Sequence, residues 1–486
     1  MMHVVMVAAE AAPYVKVGGL ADVLGALPQQ LDRLGIAVDV IIPRYRIINL
    51  RQFSFARLPL PDGLNFDVQM SVVPGTQVRV FLIGNDQYFD RDGIYVDAET
   101  GKDYADQADR WVFFQRTALE FIRAVLHPVD VLHCHDFQAA LIPAYLRRLY
   151  SSDSRFSQTK SILTIHNIGY QGIFPPEIMT HTGFDVGEFQ PTSPFEFFGN
   201  LNFLKAGISF ADQVTTVSPS YAQEIQENDE LSFGLGGVLR SHPNSIIGIL
   251  NGIDDDVWNP AKDVWIRATY DDRTINTTDA KCQDKLAVLH KFNLDESRAT
   301  RPLLAMVSRI DAQKGFDLVE GVLDEILDHD VSFVLLGSGN RDSETQMSRI
   351  AAQHPDRVGI FLGYDEGLSH LIIAGADIFL MPSKYEPCGL TQMYSMRYGT
   401  VPVVRATGGL KDTVQEFDAE AGTGTGFTFA GFDVNEFQAA IVRALNWYSD
   451  KKSWVQIIEN GMRTDFSWTH SASQYFSTYQ KITQSL

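Results

Sequence analysis

Two adjacent glycines follow the first apolar run of the chain, and a lysine stands two positions before them. The segment reads Lys16-Val17-Gly18-Gly19 and opens directly into a helix-like stretch, Leu20–Leu34. Glycines let backbone N–H groups approach an anion closely, and the start of a helix adds the positive end of its dipole. The segment therefore predicts a phosphate-binding loop, although a Gly-Gly pair is also compatible with a simple tight turn.

A second candidate loop lies in the other half of the chain. The segment Val307–Gly315 carries two cations, Arg309 and Lys314, at the end of an apolar run. Arginine can hold a phosphate through two parallel hydrogen bonds, and lysine acts as a compact point charge. Isolated surface cations are usually only solvated. Two cations in one short loop of an acidic protein instead indicate a site that neutralises an anion.

Two further glycine-containing turns follow apolar runs in the second half, Glu386–Thr391 and Thr407–Leu410. Each can offer backbone N–H groups to a diphosphate. The Glu386 carboxylate could accept hydrogen bonds from sugar hydroxyls or face a cationic transition state. The alternative for Glu386 is a structural role as the cap of a helix.

The charge of the chain restricts its partners. Its 486 residues include 40 Lys+Arg and 60 Asp+Glu, which gives a net charge of −20. Such a field repels nucleic acid and anionic membranes, so we expect neither as a partner. Any phosphate site must be built locally from a few cations and N–H groups. Cys134, Cys282 and Cys388 form no CxxC pair and are predicted to be free thiols in a reducing compartment.

Ten short apolar runs, most of them followed by helix-like stretches, recur along the chain. Runs that are apolar on both faces are typical of parallel strands covered by helices. The alternation occurs twice and predicts two doubly wound α/β domains, which suits a chain too long for one core. The predicted strands are His3–Ala9, Val38–Pro43, Val129–His135, Ser161–His166, Gln213–Ser218, Leu303–Ser308, Ser332–Leu336, Val358–Leu362, Asp377–Pro382 and Val401–Arg405.

The order of the elements predicts where a ligand binds. Open α/β sheets bind ligands beyond the carboxyl ends of their strands, where the strand order reverses. Two such sheets predict one ligand cleft between two lobes, with the seam near Ile246–Trp258 and a helical tail over Ser471–Ile482. One helix, Asp317–Asp330, is predicted from apolar residues at helical spacing. No run approaches the roughly 18 apolar residues of a membrane span, so a soluble intracellular protein is expected.

Six motifs in order along the chain carry a family resemblance: KVGGLADV, HCHDFQAAL, HNIGYQG, VSRIDAQKG, EPCGLTQMYSMRYG and RATGGLKDTV. Together they resemble the bacterial glycogen synthase and plant or algal starch synthase family (glycosyltransferase family 5) over essentially the whole chain. The resemblance implies the GT-B fold, two Rossmann-like domains with doubly wound parallel sheets facing across a deep cleft. It places an acceptor-side domain at residues 1–247, a donor-binding domain at 252–462, and a helix at 463–486 that crosses back to the first domain.

The same resemblance implies an activity. Family members transfer glucose from ADP-glucose to the non-reducing end of an α-1,4-glucan or maltooligosaccharide, with retained configuration and without a metal or other cofactor. The expected location is the bacterial cytoplasm or, for a mature plant chain, the plastid stroma. The sequence does not predict the oligomeric state or whether the product is glycogen or starch.

Roles for individual residues follow from the resemblance. The implied catalytic residues surround the transferred glucose and the leaving ADP: His166, Arg309, Lys314 and Glu386. The implied donor-binding residues are Lys16, Gly18, Gly19, Asn251, Tyr364, Cys388, Gly389, Leu390 and Thr391. Acceptor or loop contacts are implied for Asp22, Tyr95 and Asp136. Tyr364 aligns near the adenine, where an aromatic face can stack.

One position departs from related transferases outside this family. Those proteins often carry a second glutamate eight residues after the first, and here that position is Tyr394. A mechanism with two carboxylates at this spacing is therefore not predicted. Removal of the proton from the incoming hydroxyl by the leaving group, on the same face of the sugar, is the mechanism that we expect.

Other chemistries are less consistent with the sequence. His133 and His135 alternate on a predicted strand and therefore share one side, with Cys134 on the other. No second cluster has the spacing of zinc ligands, so no metal site is predicted. Two alternatives stay open: another GT-B transferase, for example one that uses UDP-glucose, and a non-catalytic glucan-binding scaffold.

Overall fold

The computed structural model describes residues 1–61 and 66–484, which form two α/β units. The first unit comprises Met1–Gly252 with the C-terminal helix Trp468–Gln484, and the second comprises Ile253–Ser467. All ten predicted strands are present, and their ends differ from the prediction by two residues at most. The alternation of strand and helix is confirmed in both units. Residues 485 and 486 of the predicted C-terminal helix lie outside the described residues.

The first unit is built on a large, mainly parallel sheet and a small antiparallel one. Its strands are β1 His3–Val7, β2 Ala37–Pro43, β3 Ala56–Leu58, β4 Asp67–Val72, β5 Arg79–Gly84, β6 Val131–His135, β7 Lys160–Ile165, β8 Ile173–Phe174, β9 Glu196–Phe197, β10 Asn200–Asn202, β11 Gln213–Thr216 and β12 Ile247–Gly248. Within the described ranges the large sheet has the order β12-β11-β7-β6-β1-β2-β5-β4-β3, and β8-β10-β9 form the small sheet.

The helices of the first unit cover the large sheet. They are α1 Gly19–Arg33, α2 Asp86–Phe89, α3 Gln107–Phe121 with a π-helical turn Ile122–Leu126, α4 Leu141–Arg148, α5 Met179–Thr182, α6 Phe203–Phe210, α7 Pro219–Glu227, α8 Gly236–Ser241 and the C-terminal helix Trp468–Gln484. The C-terminal helix buries Trp468, Tyr475 and Tyr479 in the core of this unit. The hydroxyl of Ser471 donates a hydrogen bond to the carbonyl of Leu250.

The edge formed by β3 and β4 was not predicted. These strands pair antiparallel with each other, and β4 pairs antiparallel with β5. Strand β3 has only three residues, none of them buried, and β4 is buried at two of its six positions. The prediction relied on runs that are apolar on both faces, and a half-exposed edge strand does not produce such a run.

The second unit contains one sheet that is parallel throughout its described pairings. Its strands are β13 Leu303–Val307, β14 Ser332–Gly337, β15 Val358–Leu362, β16 Ile378–Met381, β17 Val401–Arg405 and β18 Phe427–Phe429. Their order is β15-β14-β13-β16-β17-β18. The remaining helices are α9 Ala280–Lys291, α10 Phe316–Leu327, α11 Arg341–Gln353, α12 Glu366–Gly375, α13 Thr391–Arg397, α14 Gly408–Thr413, α15 Val434–Ser449 and α16 Lys451–Arg463.

The predicted apolar face of α10 is buried, and the helix packs against α15 and α11. Leu318, Val322 and Ile326 recur at helical spacing and are almost completely buried. This face is therefore part of the hydrophobic core of the second unit.

The strand order reverses once near the centre of each large sheet. In the first unit β1 lies between β2 and β6, and in the second β13 lies between β14 and β16. Loops that leave the carboxyl ends of β1 and β6, or of β13 and β16, therefore diverge to opposite faces and leave room for a ligand. Most of the predicted site residues follow these four strands, whereas Tyr95, His166, Asn251 and Tyr364 follow other elements of the two units. No helix in the described part of the chain is long and apolar enough to cross a membrane.

Candidate functional site

The predicted site residues of the first unit are called here the N-terminal cluster. It begins with the glycine loop between β1 and α1. Two of its N–H groups, those of Val17 and Gly18, donate to the carboxylate of Glu10 at 2.5 and 3.2 Å. The ammonium of Lys16 lies 2.7 Å from Asp22. The loop is thus held from inside the protein by a carboxylate. Since the Gly18 N–H is directed at Glu10, the predicted affinity of this loop for an anion depends mainly on Lys16 and Gly19.

Glu10 was missed by the sequence analysis. The available signal was an acidic residue three positions after a buried central strand. Its side chain is almost completely buried, and its second oxygen accepts a hydrogen bond from the hydroxyl of Tyr95 at 2.9 Å. Burial raises the pKa of Glu10 above its usual range. The structure thereby connects the loop that carries Tyr95 to the glycine loop.

The loop of Tyr95 is itself fixed by two buried side chains of α3. Gln107 donates to the carbonyl of Tyr95 at 2.9 Å. The completely buried guanidinium of Arg110 donates to the carbonyls of Tyr88 and Ile94, each at 3.0 Å. A buried arginine that donates to two backbone carbonyls is costly to remove, so the position of Tyr95 is well determined.

Asp136 follows β6 and holds the loop that contains His166. Its Oδ1 atom accepts the backbone N–H of His166 at 2.7 Å, and the N–H of Asn167 also donates to this carboxylate. The backbone of Asp136 has a positive φ of 55°, a conformation that costs a non-glycine residue energy and often marks functional sites. Burial raises the pKa of the Asp136 carboxyl to about 7. The acceptor contact that the resemblance implies for Asp136 stays a prediction.

Three histidine rings lie side by side next to Asp136. His133 and His135 share one side of β6 as predicted, with ring centroids 4.1 Å apart. His133 bonds to the hydroxyls of Tyr479 at 2.8 Å and Thr164 at 2.6 Å. His135 Nδ1 lies 3.0 Å from His166 Nε2. Burial lowers the pKa of His133 and His166 to about 3, so these rings are neutral at pH 7.

The titration of Asp136 should be visible in the stability of the first unit. In the folded protein the Asp136 carboxyl keeps its proton up to about pH 7, whereas an unfolded aspartate loses its proton near pH 3.8. The stabilisation is therefore complete below pH 3.8 and is lost as the pH rises towards 7. The Asp136→Asn variant does not titrate here. We expect its free energy of unfolding to rise relative to the wild type, by at most about 4 kcal/mol, between pH 4 and pH 7.

Urea unfolding curves at several pH values measure this effect. The slope of the difference with pH is the test, since a constant offset only reports the altered hydrogen bonds. The matched control is Asp229→Asn, which removes an exposed carboxylate of the same unit. A pH-independent difference for Asp136→Asn would contradict the prediction.

The predicted site residues of the second unit form the C-terminal cluster. Its centre is an ion pair between two predicted catalytic residues. The ammonium of Lys314 lies 2.6 Å from Glu386 Oε2, and the hydroxyl of Ser383 donates to the same oxygen at 2.9 Å. The side chains of Lys314 and Glu386 are 17% and 7% exposed. Lys314 follows β13 and Glu386 follows β16, so the pair lies where the strand order reverses.

Arg309 is held within its own loop. One guanidinium nitrogen lies 2.9 Å from Asp311, and another lies 3.3 Å from the side-chain oxygen of Gln313. Each cation of the loop is thus paired with a carboxylate, Arg309 with Asp311 and Lys314 with Glu386. The positive charge predicted for the loop is therefore balanced locally, and an incoming phosphate would have to share these cations with the carboxylates.

The two glycine turns of this unit pack directly on each other. The N–H of Gly409 donates to the carbonyl of Glu386 at 3.0 Å. A Cβ atom on Gly409 would lie only 2.1 Å from the carbonyl oxygen of Cys388, so only glycine fits there. Gly389 has φ of 70°, which also favours glycine.

Gln392 orients the first of these turns and was also missed by the sequence analysis. It is completely buried, and its side-chain nitrogen lies 3.1 Å from the carbonyls of Cys388 and Gly389 and from the hydroxyl of Thr413. These hydrogen bonds draw the two carbonyls towards Gln392 and thereby fix the peptide groups of the turn. A polar residue in the first turn of a helix carries little signal in a sequence.

The other predicted site residues have varied surroundings. Asn251 is buried, and its Oδ1 has no hydrogen-bond partner among the residues that the structure describes. Tyr364 follows β15 and is 74% exposed. Cys388 is buried, and the partly buried Thr391 lies next to Leu390 at the start of α13.

Tyr394 belongs to an aromatic stack. Its ring stacks on Trp258 at 3.8 Å and an interplanar angle of 8°, and Trp258 stacks in turn on His370 at 3.7 Å. The position of the second glutamate in other transferases is thus occupied by a buried aromatic stack. Within residues 1–61 and 66–484, no group of three or more His, Cys, Asp or Glu side chains is arranged to hold a metal ion.

Comparisons with known proteins agree with this arrangement. Residues 3–241 match the starch synthase catalytic domain family, and residues 291–463 match the glycosyl transferases group 1 family. The chain is 43% identical to a glycogen synthase of Koribacter versatilis and 42% identical to one of Thermosipho africanus, each over 99% of both chains.

A solved structure is similar over the whole chain. The catalytic domain of starch synthase IV from Arabidopsis thaliana, bound to ADP and acarbose, matches with a TM-score of 0.89 and 34% identity over 99% of both chains. This match confirms the predicted fold class, two Rossmann-like α/β domains of the GT-B type. Full-length identity above 40% to glycogen synthases, with both families matched in order, places the chain in the glycogen and starch synthase family of glycosyltransferases.

Proposed function

We propose that this chain transfers glucose from ADP-glucose to the non-reducing end of an α-1,4-glucan with retained configuration. The observation that carries the proposal is the Lys314–Glu386 pair at the strand-order reversal of the second unit, beside two glycine turns. The choice of ADP-glucose is supported by the Arabidopsis relative, which is bound to ADP and to acarbose.

In this proposal Lys314 and Arg309 stabilise the leaving diphosphate. A lysine ammonium has three donors, so Lys314 can keep its bond to Glu386 while it donates to a phosphate oxygen. The guanidinium of Arg309 has five N–H donors and is held by Asp311 and Gln313 within its own loop. Preorganised donors of this kind act on the charge that develops in the transition state. The proposal assigns the reaction no metal or other cofactor, because these cations supply the charge.

The proton transfer is assigned to the leaving group. The departing phosphate oxygen takes the proton from the incoming 4-hydroxyl on the same face of the sugar, and this preserves the α configuration. Glu386 contacts the donor glucose and is held by Lys314 and Ser383. Position 394 is a tyrosine stacked on Trp258, so the proposal assigns no second carboxylate there.

The N-terminal cluster is assigned to the diphosphate, the sugar and the acceptor. His166 is neutral at pH 7, since burial lowers its pKa to about 3, and it therefore acts by hydrogen bonding instead of by charge. Lys16 supplies a cation for the diphosphate, and Tyr95 and Asp136 border the acceptor.

A donor comparison tests the proposal. The purified chain is incubated with a maltooligosaccharide and either ADP-glucose or UDP-glucose, and the released nucleotide is quantified. We expect ADP release with a kcat/KM well above that for UDP release. Preferential release of UDP would show that the donor is UDP-glucose and not ADP-glucose. Glucan binding without release of either nucleotide would indicate a non-catalytic scaffold.

A further inference from the structure

His135, the last residue of strand β6, contacts the ring of His166. His135 Nδ1 and His166 Nε2 are 3.0 Å apart, so a single hydrogen bond joins the two rings and contains one proton. The next residue, Asp136, accepts the backbone N–H of His166. Two consecutive residues therefore hold His166 at its ring and at its backbone.

The ring of His135 is itself fixed in place. It packs against His133, with ring centroids 4.1 Å apart, and is completely buried. His133 is anchored by the hydroxyls of Tyr479 and Thr164, one on each ring nitrogen. The orientation of His135 towards His166 thus depends on neighbours from β6, β7 and the C-terminal helix.

The surroundings of His135 decide which of the two rings donates. Both rings are neutral at pH 7 because burial lowers their pKa values, so each carries one N–H. The other nitrogen of His135, Nε2, is buried and has no hydrogen-bond partner within the described residues. If His135 accepted the hydrogen bond, its own proton would lie on Nε2 as a buried, unpaired N–H group. Such orphaned donors are rare in folded proteins because their desolvation is not compensated.

We propose that His135 is a positioning residue that fixes His166 as the tautomer with its proton on Nδ1. His135 then donates from Nδ1, and Nε2 of His166 accepts. The opposite nitrogen of the His166 ring becomes an obligatory donor. It is suited to an acceptor oxygen on the transferred sugar, and this part of the inference rests on the proposed function. The tautomer itself does not depend on that function.

Nitrogen NMR on the full-length chain, labelled with ¹⁵N in its histidine rings, tests the tautomer directly. A protonated ring nitrogen resonates far upfield of an unprotonated one, and the signals of His166 are identified by their loss in His166→Gln. We expect His166 Nδ1 to be protonated and Nε2 to be unprotonated. The reverse pattern, or a mixture of both, would overturn the proposal. The result does not require turnover, so a protein with this tautomer and no transferase activity would contradict only the proposed function.

Two variants at one position separate positioning from packing. His135→Leu keeps a similar volume without a donor, and His135→Asn places an amide N–H close to the former Nδ1. We expect kcat to fall by roughly 10²–10³-fold in His135→Leu, the range for removal of one preorganised donor, with a smaller change in KM for the sugar nucleotide. His135→Asn should recover most of this loss. Equal losses in both variants would contradict the proposal, because packing alone would then explain them.

Discussion

Replacement of Lys314 by methionine should lower the rate of glucose transfer by roughly 10²–10³-fold. The ammonium of Lys314 lies 2.6 Å from Glu386 at the reversal of strand order, where the proposed function places the leaving phosphate. Methionine has a similar length and no charge, so the leaving group loses a donor while the packing is largely kept. Steady-state kinetics with ADP-glucose and a maltooligosaccharide measure the loss.

The same substitution should also destabilise the second unit. It leaves the carboxylate of Glu386, which is 7% exposed, without its cation, and breaking such a pair costs about 3–5 kcal/mol. The double variant Lys314→Met, Glu386→Gln removes both charges and should regain most of the stability but none of the activity. Lys452→Met, at an exposed lysine of the same unit, is the matched control. Near-normal turnover of the single variant, or recovery of turnover in the double variant, would remove the leaving-group role of Lys314.

Replacement of Gly315 by alanine should disrupt the same loop through its backbone. Gly315 has φ of 73°, and a Cβ atom there would lie 2.1 Å from the carbonyl oxygen of Pro382. The conformation costs alanine about 1–2 kcal/mol, and the clash forces the loop away from the end of β16. Since Lys314 is the adjacent residue, we expect kcat to fall by about 10²-fold, as for a 1 Å misplacement of a catalytic group.

Gly422→Ala is the matched control for Gly315→Ala. Gly422 lies in the same unit with φ of 67°, and a Cβ atom there would meet nothing within 4 Å among the described residues. It should therefore show only the conformational cost, about 1–2 kcal/mol, and full activity. Thermal unfolding and kcat of both variants decide the matter. Identical behaviour of the two would show that the contact between Gly315 and Pro382 is unimportant.

The central strands and the glycine turns could be predicted because their signals are local. A parallel strand that is buried on both faces is a continuous apolar run, and a turn at its carboxyl end requires glycine wherever the backbone approaches another backbone. Gly409 is such a case, because a Cβ atom there would lie 2.1 Å from the carbonyl oxygen of Cys388. Edge strands such as β3 lack this signal because their residues are largely exposed.

The partners of the site residues could not be predicted, because they are distant in sequence. Tyr95 and Glu10 are 85 positions apart, and Lys314 and Glu386 are 72 apart. Their pairing depends on the strand order, which a single sequence does not reveal. The carboxylates of Asp22 and Asp311 also show that local charge compensation is as much a part of these loops as the cations that made them recognisable.

The most direct test of the account is a time course of the chain with ADP-glucose and a short maltooligosaccharide, in the presence of a metal chelator. Product lengths and the configuration of the new linkage are followed by chromatography and proton NMR. We expect stepwise elongation by single glucose units, with new α-1,4 linkages and one ADP released per unit. The chelator should not change the rate. Products with inverted linkages, loss of activity with the chelator, or ADP release without elongation would contradict it.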